Sequence, residues 1–156
     1  TFWVELPQIE KTEIIKKQNE NGSQRKEIQQ NATFATILYV EDNLSNIELV
    51  EEILTDHRPL IQFVSSIYGG KTTELAKKYQ PKLILLDLDL PDMNGDEVLK
   101  MLLADPVTKP IPVIVVSADA MPHQIEKLMK IGAEKYLTKP LDVIQFLKII
   151  DQYCEI

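Results

Sequence analysis

The chain has 156 residues, of which 44% are hydrophobic and 26% charged, and its formal net charge is −7. This composition is typical of a globular domain with a hydrophobic core, and no apolar run approaches the roughly 20 residues of a membrane-spanning helix. The negative charge argues against non-specific nucleic-acid binding. The single cysteine, Cys154, cannot form an internal disulfide, which suits a reducing cytoplasm.

The beginning of the chain differs in composition from the rest. Residues 1–7 predict a short strand that ends at Pro7. Residues 8–34 are rich in Gln, Asn, Glu and Lys and contain the break signal Asn21-Gly22. They are therefore predicted to form a polar linker, and residues 35–156 are predicted to form one domain.

In residues 35–156, short apolar runs alternate with stretches of helical periodicity. Strands are predicted at 36–40, 60–64, 83–86, 112–116 and 134–137, and helices at 44–55, 70–79, 95–104, 121–131 and 142–153. This alternation favours parallel strands joined by right-handed crossovers. Because the first, third and fourth strands are almost wholly apolar, helices are expected on both faces of the sheet. The more polar second and fifth strands are expected at its edges, which gives a doubly wound, five-stranded α/β domain.

Polar side chains follow four of the predicted strands. In a doubly wound sheet, ligands bind outside the carboxyl ends of the strands. These side chains are therefore expected at one edge: Glu41-Asp42-Asn43, Asp87, Ser117-Ala118-Asp119 and Thr138-Lys139-Pro140. Carboxylates gathered there repel one another unless a cation neutralises them. Oxygen ligands without His or Cys favour a hard ion, and Mg²⁺ fits best.

A lysine and a hydroxyl at the same edge, Lys139 and Ser117, would suit an anionic group beside that metal. Together with the acid cluster they predict a phosphoryl-transfer site in which Asp87 is the candidate nucleophile. Each residue alone has a simpler explanation: Asp42 or Ser117 as a helix cap, Lys139 as a solvated charge, and Tyr136 as a half-buried packing residue. It is improbable that all these simpler explanations apply at once, because four different strand ends carry polar residues suited to one site at the same edge of the sheet.

The ordered motifs of residues 36–156 resemble the receiver domain of two-component response regulators. The similarity rests on Glu41-Asp42-Asn43, on Leu-Leu-Asp87 followed at 90–95 by Leu-Pro-Asp-Met-Asn-Gly, on Val-Ser117-Ala118, and on Tyr136-Leu-Thr-Lys139-Pro140. The resemblance implies a flavodoxin-like sheet with the strand order 2-1-3-4-5 and helices on both faces.

The resemblance also implies a role for the residues around the acid cluster. Asp87 would accept a phosphoryl group from a phosphohistidine. Glu41, Asp42 and Asp87 would hold Mg²⁺ together with the backbone carbonyl of Asp89. The Asp89 carboxylate stands where many relatives have an uncharged side chain, and it is expected to alter hydrolysis of the aspartyl-phosphate. Lys139 would pair with one phosphoryl oxygen.

The remaining positions concern the switch that follows phosphorylation. Ser117 would bond another phosphoryl oxygen, and Tyr136 would then turn inward and change the surface around residues 117–140. The Lys139–Pro140 peptide bond is expected to be cis. The chain would thus be a phosphoacceptor that assists its own phosphorylation and dephosphorylation, whether or not it counts as an enzyme.

Residues 1–7, Thr-Phe-Trp-Val-Glu-Leu-Pro, resemble the closing strand of the ATP-binding domain of sensor histidine kinases. This implies a cytoplasmic receiver that follows the kinase core of a hybrid histidine kinase, which itself could be membrane-anchored. Its partners would be the dimerisation and phosphotransfer domain of a histidine kinase and a histidine phosphotransfer protein. No nucleic-acid partner and no membrane contact are expected for this fragment. A stand-alone response regulator is the alternative.

Three other functions fit parts of the sequence. Gly70-Lys71-Thr72 imitates a P-loop, but Ser65 occupies the position of the glycine that this loop needs. Asp87-Leu-Asp89 imitates the nucleophile loop of haloacid-dehalogenase-type phosphatases, whose metal-binding acids lie downstream rather than upstream. The third is a pseudo-receiver that binds a partner without being phosphorylated.

Overall fold

Five strands alternate with five α-helices along residues 35–155, the part of the chain that the computed structural model describes. The strands are β1 (Thr36–Val40), β2 (Gln62–Ser66), β3 (Leu83–Leu86), β4 (Val113–Ser117) and β5 (Lys135–Thr138). The helices are α1 (Leu44–His57), α2 (Thr72–Tyr79), α3 (Gly95–Ala104), α4 (Pro122–Ile131) and α5 (Val143–Cys154), and a 3₁₀ turn (Gly69–Lys71) precedes α2. The predicted strand 1–7 and linker 8–34 lie outside the described residues.

The five strands form one sheet in the order β2-β1-β3-β4-β5, and each neighbouring pair is parallel. This confirms the predicted fold and strand order. It also places the two more polar strands, β2 and β5, at the edges. None of the helices within residues 35–155 combines the length and the hydropathy of a bilayer-crossing helix.

The predicted position of β2 was wrong by two residues. Leu60, which was assigned to the strand, is 60% exposed. It lies in a turn that the Ile61 amide closes by donating to the carbonyl of Arg58 at 3.0 Å. Gln62 is the first residue of β2, and its amide donates to the carbonyl of Ala35 at 2.8 Å. The apolar run includes a residue of this turn, so hydrophobicity alone did not locate the start of strand pairing.

Alternate residues of β1 enter two separate hydrophobic layers. Ile37 and Tyr39 belong to a cluster with residues of α1 and α5. Leu38 and Val40 belong to a second cluster with residues of α2, α3 and α4. Both faces of the sheet are therefore covered by helices, as predicted, and every residue of β1 is buried.

The chain between β3 and α3 folds back over the end of β3. The amide of Gly95 donates to the carbonyl of Leu88 at 2.9 Å. A Cβ atom at Gly95 would lie 2.6 Å from the carbonyl oxygen of Asp87 and 2.7 Å from Cα of Leu88. Only glycine permits this approach, and the return of the chain fixes the backbone of Asp87 at the sheet edge.

Candidate functional site

Three carboxylates meet at the carboxyl ends of β1 and β3. One oxygen from each of Glu41, Asp42 and Asp87 lies within 4.8 Å of the other two. Hydrogen bonds extend the sheet beyond its last strand residues, because the Glu41 amide donates to Ser66 and the Asp87 amide to Val40, each at 2.9 Å. Glu41 and Asp87 are buried, whereas Asp42 is exposed. Solvent therefore reaches the acid cluster at Asp42.

Lys139 brings a positive charge to this cluster from the end of β5. Its Nζ lies 2.6 Å from Oε2 of Glu41 and 3.5 Å from Oδ1 of Asp87. Its amide donates to the carbonyl of Ser117 at 2.9 Å, and the peptide bond to Pro140 is cis. Burial lowers the pKa of Lys139, but the two carboxylates outweigh it and hold that pKa above its ordinary value. The lysine is therefore a cation at neutral pH.

The two buried carboxylates have pKa values that are shifted in opposite directions. Burial, and then the charge of Glu41, raise the pKa of Asp87 to about 6, although Lys139 acts against this shift. Burial alone would also raise the pKa of Glu41. Hydrogen bonds from Lys139 and from the amide of Asn43 outweigh burial and hold the Glu41 pKa below its ordinary value. The surroundings of Glu41 thus stabilise its negative charge, whereas the surroundings of Asp87 disfavour the charged form of that carboxylate.

A tight turn after β4 brings Ser117 and Tyr136 together. The Ser117 hydroxyl is buried and accepts a hydrogen bond from the amide of Asp119 at 3.1 Å. The phenol of Tyr136, on β5, donates to the carbonyl of the same Asp119. The turn at 117–119 is thus bonded both to the predicted switch hydroxyl and to the predicted switch aromatic.

Comparison with known proteins decides the family. Residues 37–151 match the family model of the response regulator receiver domain. The chain belongs to the response regulator receiver family. It is a receiver domain of the kind used in two-component signalling.

Individual relatives show the same similarity over most of the domain. The chain is 34% identical to the polar-differentiation response regulator DivK of Brucella anthropi over 118 residues, which are 76% of this chain and 94% of DivK. It is 31% identical to the phosphorylated cyanobacterial phytochrome response regulator RcpA, with a TM-score of 0.64 over 79% of this chain and 93% of that one. It is 27% identical to the Mn²⁺-bound form of response regulator Rcp1, with a TM-score of 0.66 over 77% and 94% of the two chains.

Membership in the receiver family removes the P-loop and haloacid-dehalogenase alternatives, and the structure gives the P-loop-like segment another role. The amides of Gly69 and Gly70 donate to the two carboxylate oxygens of Asp92, at 2.9 and 2.8 Å. The groups that would face a phosphate in a P-loop are thus bonded to a side chain of the receiver's own β3–α3 loop. No sequence pattern marks Asp92 for this contact, because its partners are backbone groups that are distant along the chain.

The same loop carries Asp89, two residues after Asp87. Asp89 is exposed and forms an isolated antiparallel bridge with Asn94. The loop is therefore tied through Asp92 to the 3₁₀ turn that precedes α2, and it is closed on itself at Asp89 and Gly95. The Asp89 side chain is left on the solvent side of this loop.

Two further residues of this receiver contact the acid cluster and were missed by sequence analysis. The phenol of Tyr39 donates to Oε2 of Glu41 at 3.0 Å, and Nδ2 of Asn46 donates to the same oxygen at 3.3 Å. A signal was present in the sequence for Tyr39. It is the aromatic residue of β1, with a phenol next to the aliphatic Leu38 and Val40, and it precedes Glu41 by two residues, which places both side chains on one face.

Proposed function

We propose that this receiver domain takes a phosphoryl group from a phosphohistidine onto Asp87. The observation that carries the proposal is the position of the buried Asp87 carboxylate, which lies within an acid cluster and 3.5 Å from Nζ of Lys139. A carboxylate of raised pKa keeps more nucleophilic character than an ordinary one. The phosphorylated form of the relative RcpA supports this use of the fold.

The proposed step is an in-line displacement at phosphorus. An oxygen of the Asp87 carboxylate forms a bond to phosphorus while the bond from phosphorus to the histidine nitrogen breaks, and that nitrogen leaves with the electron pair. Lys139 moves from Glu41 to a phosphoryl oxygen, and the hydroxyl of Ser117 donates to another. Because the 117–119 turn is bonded to Tyr136, a movement of Ser117 is passed to β5.

We further propose Mg²⁺ as the cofactor. Glu41, Asp42 and Asp87, together with the backbone carbonyl of Asp89, would hold it. The three carboxylates offer only oxygen ligands at close spacing, which is the donor set of a hard cation. When bound, the ion would neutralise charge on the acid cluster and on the incoming phosphoryl group. The Mn²⁺-bound form of the relative Rcp1 is consistent with a divalent cation in this family.

The partners proposed are the phosphotransfer domain of a histidine kinase, as donor, and a histidine phosphotransfer protein, as acceptor. The hybrid-kinase origin rests on residues 1–7, which lie outside the described residues, so it stays a prediction. The similarity to DivK extends over 94% of that regulator, which favours the stand-alone regulator as the second candidate. Sequencing of the full-length gene separates the two, because a hybrid kinase has an upstream helix that carries its own histidine.

The proposed chemistry is tested by intact-mass spectrometry after incubation with acetyl phosphate and Mg²⁺. The chain should gain the mass of one phosphoryl group in a base-labile adduct, and Asp87→Asn should abolish it. Asp56→Asn is the matched control, because Asp56 is exposed and lies in the last turn of α1, at its far end from the site. A folded wild-type chain that gains no phosphoryl group would favour the pseudo-receiver instead.

A further inference from the structure

The Glu41 carboxylate accepts hydrogen bonds from four donors. Its Oε2 accepts from the phenol of Tyr39 at 3.0 Å, from Nδ2 of Asn46 at 3.3 Å and from Nζ of Lys139 at 2.6 Å. Its Oε1 accepts from the amide of Asn43 at 3.1 Å. Lys139 is the charged donor of this set, and the other three are neutral. The side chain of Glu41 is 1% exposed, so water cannot readily replace any of them.

The two neutral side-chain donors are rigidly placed. Tyr39 is buried near the carboxyl end of β1, and its ring packs against Phe63 with 6.4 Å between the ring centroids. Burial and the neighbouring Glu41 raise the pKa of the Tyr39 phenol, so it remains a donor at neutral pH. Asn46 lies in the first turn of α1, and its backbone amide donates to the side chain of Asn43, which caps that helix. Neither donor has to move when a ligand enters the site.

Lys139 differs from these donors because its role in the proposed function requires it to leave Glu41. A buried carboxylate that loses its charged partner must be held by other donors. We propose that Tyr39 and Asn46 are positioning residues that hold the Glu41 carboxylate both when Lys139 departs and when Mg²⁺ competes with Lys139 for it, and that they thereby set the affinity of the site for Mg²⁺. This inference rests on the proposed function, since it takes Glu41 as a ligand of the ion.

The direction of the effect follows from the geometry. Without the Tyr39 phenol and the side-chain amide of Asn46, Oε2 of Glu41 keeps Lys139 as its remaining side-chain partner among the described residues. The ion pair between Lys139 and Glu41 then tightens. Mg²⁺ must then compete with a stronger pair for the same carboxylate. Removal of either neutral donor should weaken Mg²⁺ binding, and Tyr39, with the shorter bond, should have the larger effect.

The test is a calorimetric titration of the chain with Mg²⁺ in the absence of any phosphoryl donor. Tyr39→Phe should raise the dissociation constant for Mg²⁺ about fivefold, and Asn46→Ala about twofold. Tyr153→Phe is the matched control. Its phenol also donates to a glutamate, Glu134, at 3.2 Å, but this pair is exposed. Glu134 precedes β5 at its amino end, whereas the acid cluster lies at the carboxyl ends of the strands. Tyr153→Phe should leave the dissociation constant unchanged.

A double-mutant cycle shows whether Tyr39 acts through Glu41. Glu41→Asp shortens the side chain by one methylene group and withdraws the carboxylate from the phenol. In that background, Tyr39→Phe should have little further effect on the dissociation constant for Mg²⁺. A full fivefold effect there would overturn the inference, as would an unchanged or lowered dissociation constant in Tyr39→Phe. If Tyr39→Phe does not fold, Asn46→Ala decides by the same criteria.

The outcome is distinguishable from failure of the proposed function. A wild-type chain that binds Mg²⁺ but gains no phosphoryl group from acetyl phosphate contradicts the phosphoacceptor role, while the Mg²⁺ titrations still decide the role of Tyr39. A wild-type chain that labels normally, with equal dissociation constants for wild type and both variants, overturns the positioning role alone. A wild-type chain that binds no Mg²⁺ overturns the positioning role as well.

Discussion

The ammonium of Lys139 lies 2.6 Å from the Glu41 carboxylate, and the two side chains differ in exposure, at 21% and 1%. A carboxylate this deeply buried depends on its cation, because removing one partner of a buried pair leaves an uncompensated charge. The proposed reaction nevertheless moves the lysine to the phosphoryl group. The Lys139–Glu41 ion pair therefore belongs to the protein without ligand, and it must break when a phosphoryl group binds.

Replacement of the lysine should reveal this dependence. Lys139→Met should lower the free energy of unfolding of the metal-free protein at pH 7 by about 3 kcal/mol. Mg²⁺ should restore part of the loss, because it brings positive charge back to the acid cluster. Urea unfolding with a chelator and with Mg²⁺ measures both effects. Lys148→Met, an exposed lysine on α5, is the control. An equal loss of stability in the two variants would contradict the prediction.

The raised pKa of Asp87 makes a prediction about stability and pH. The pKa of this carboxyl group rises from 3.8 to about 6 on folding, because burial and then Glu41 disfavour its charge. The folded state thus binds the proton more tightly than the unfolded state, so this group makes the protein less stable as the pH rises from about 4 to about 6. Above about pH 6 the full loss of folding stability caused by this group is present.

Asp87→Asn removes the titrating group and should stabilise the metal-free protein at pH 7 by about 1 to 3 kcal/mol. The bond from the Leu88 amide to Oδ1 of residue 87, 2.9 Å long, can be kept by asparagine. The gain in stability should shrink when unfolding is measured at pH 5. A gain that is equal at the two pH values, or a loss at pH 7, would show that charge on Asp87 is not the cause.

The fold was predictable because its pattern is carried by many residues at once. Almost wholly apolar central strands and more polar edge strands are expected when helices cover both faces of a sheet, and the confirmed strand order agrees with this pattern. The error at β2 has a local cause, since Leu60 is apolar but lies in a turn. Periodicity cannot separate a strand residue from a neighbouring exposed one of the same type.

The site was predictable only where its residues follow strand ends. Glu41, Asp42, Asp87 and Lys139 lie at positions that the topology brings to one edge, and the structure places them together. The contacts of Tyr39 depend instead on the packing of its ring against Phe63, which fixes where the phenol points. The Asp92 contact depends on the amides of Gly69 and Gly70, which are distant along the chain and are brought to Asp92 only by the folding of the domain.

The Asp92 carboxylate should stabilise the loop that carries Asp89. Its two bonds to the amides of Gly69 and Gly70 act on a helix start much as a capping residue does. Asp92→Ala should therefore lower the free energy of unfolding by about 1 kcal/mol. It should also speed hydrogen exchange at these two amides. Asp56→Ala, at an exposed site on α1, should change neither quantity, and unchanged exchange in Asp92→Ala would contradict the assignment.

Gly95 offers the sharpest test of how the β3–α3 loop is built, because two effects of its replacement have opposite signs. In an ordinary first turn of a helix, alanine would be more stabilising than glycine, by up to about 1 kcal/mol. Here its Cβ would lie 2.6 Å from the backbone oxygen of Asp87. The loop must then shift, so Gly95→Ala should lower the free energy of unfolding by about 2 kcal/mol and reduce labelling by acetyl phosphate.

Gly70→Ala is the matched control for this substitution. Its Cβ would lie 3.1 Å from a side-chain oxygen of Asp92, which can rotate away, rather than from backbone. The loss of stability should therefore be clearly smaller than in Gly95→Ala, and phosphoryl labelling of Asp87 should be retained. If Gly95→Ala is as stable as the wild type, the close return of the chain over Asp87 does not persist in solution. The backbone of Asp87 would then have to be held in place by the Asp92 contact alone.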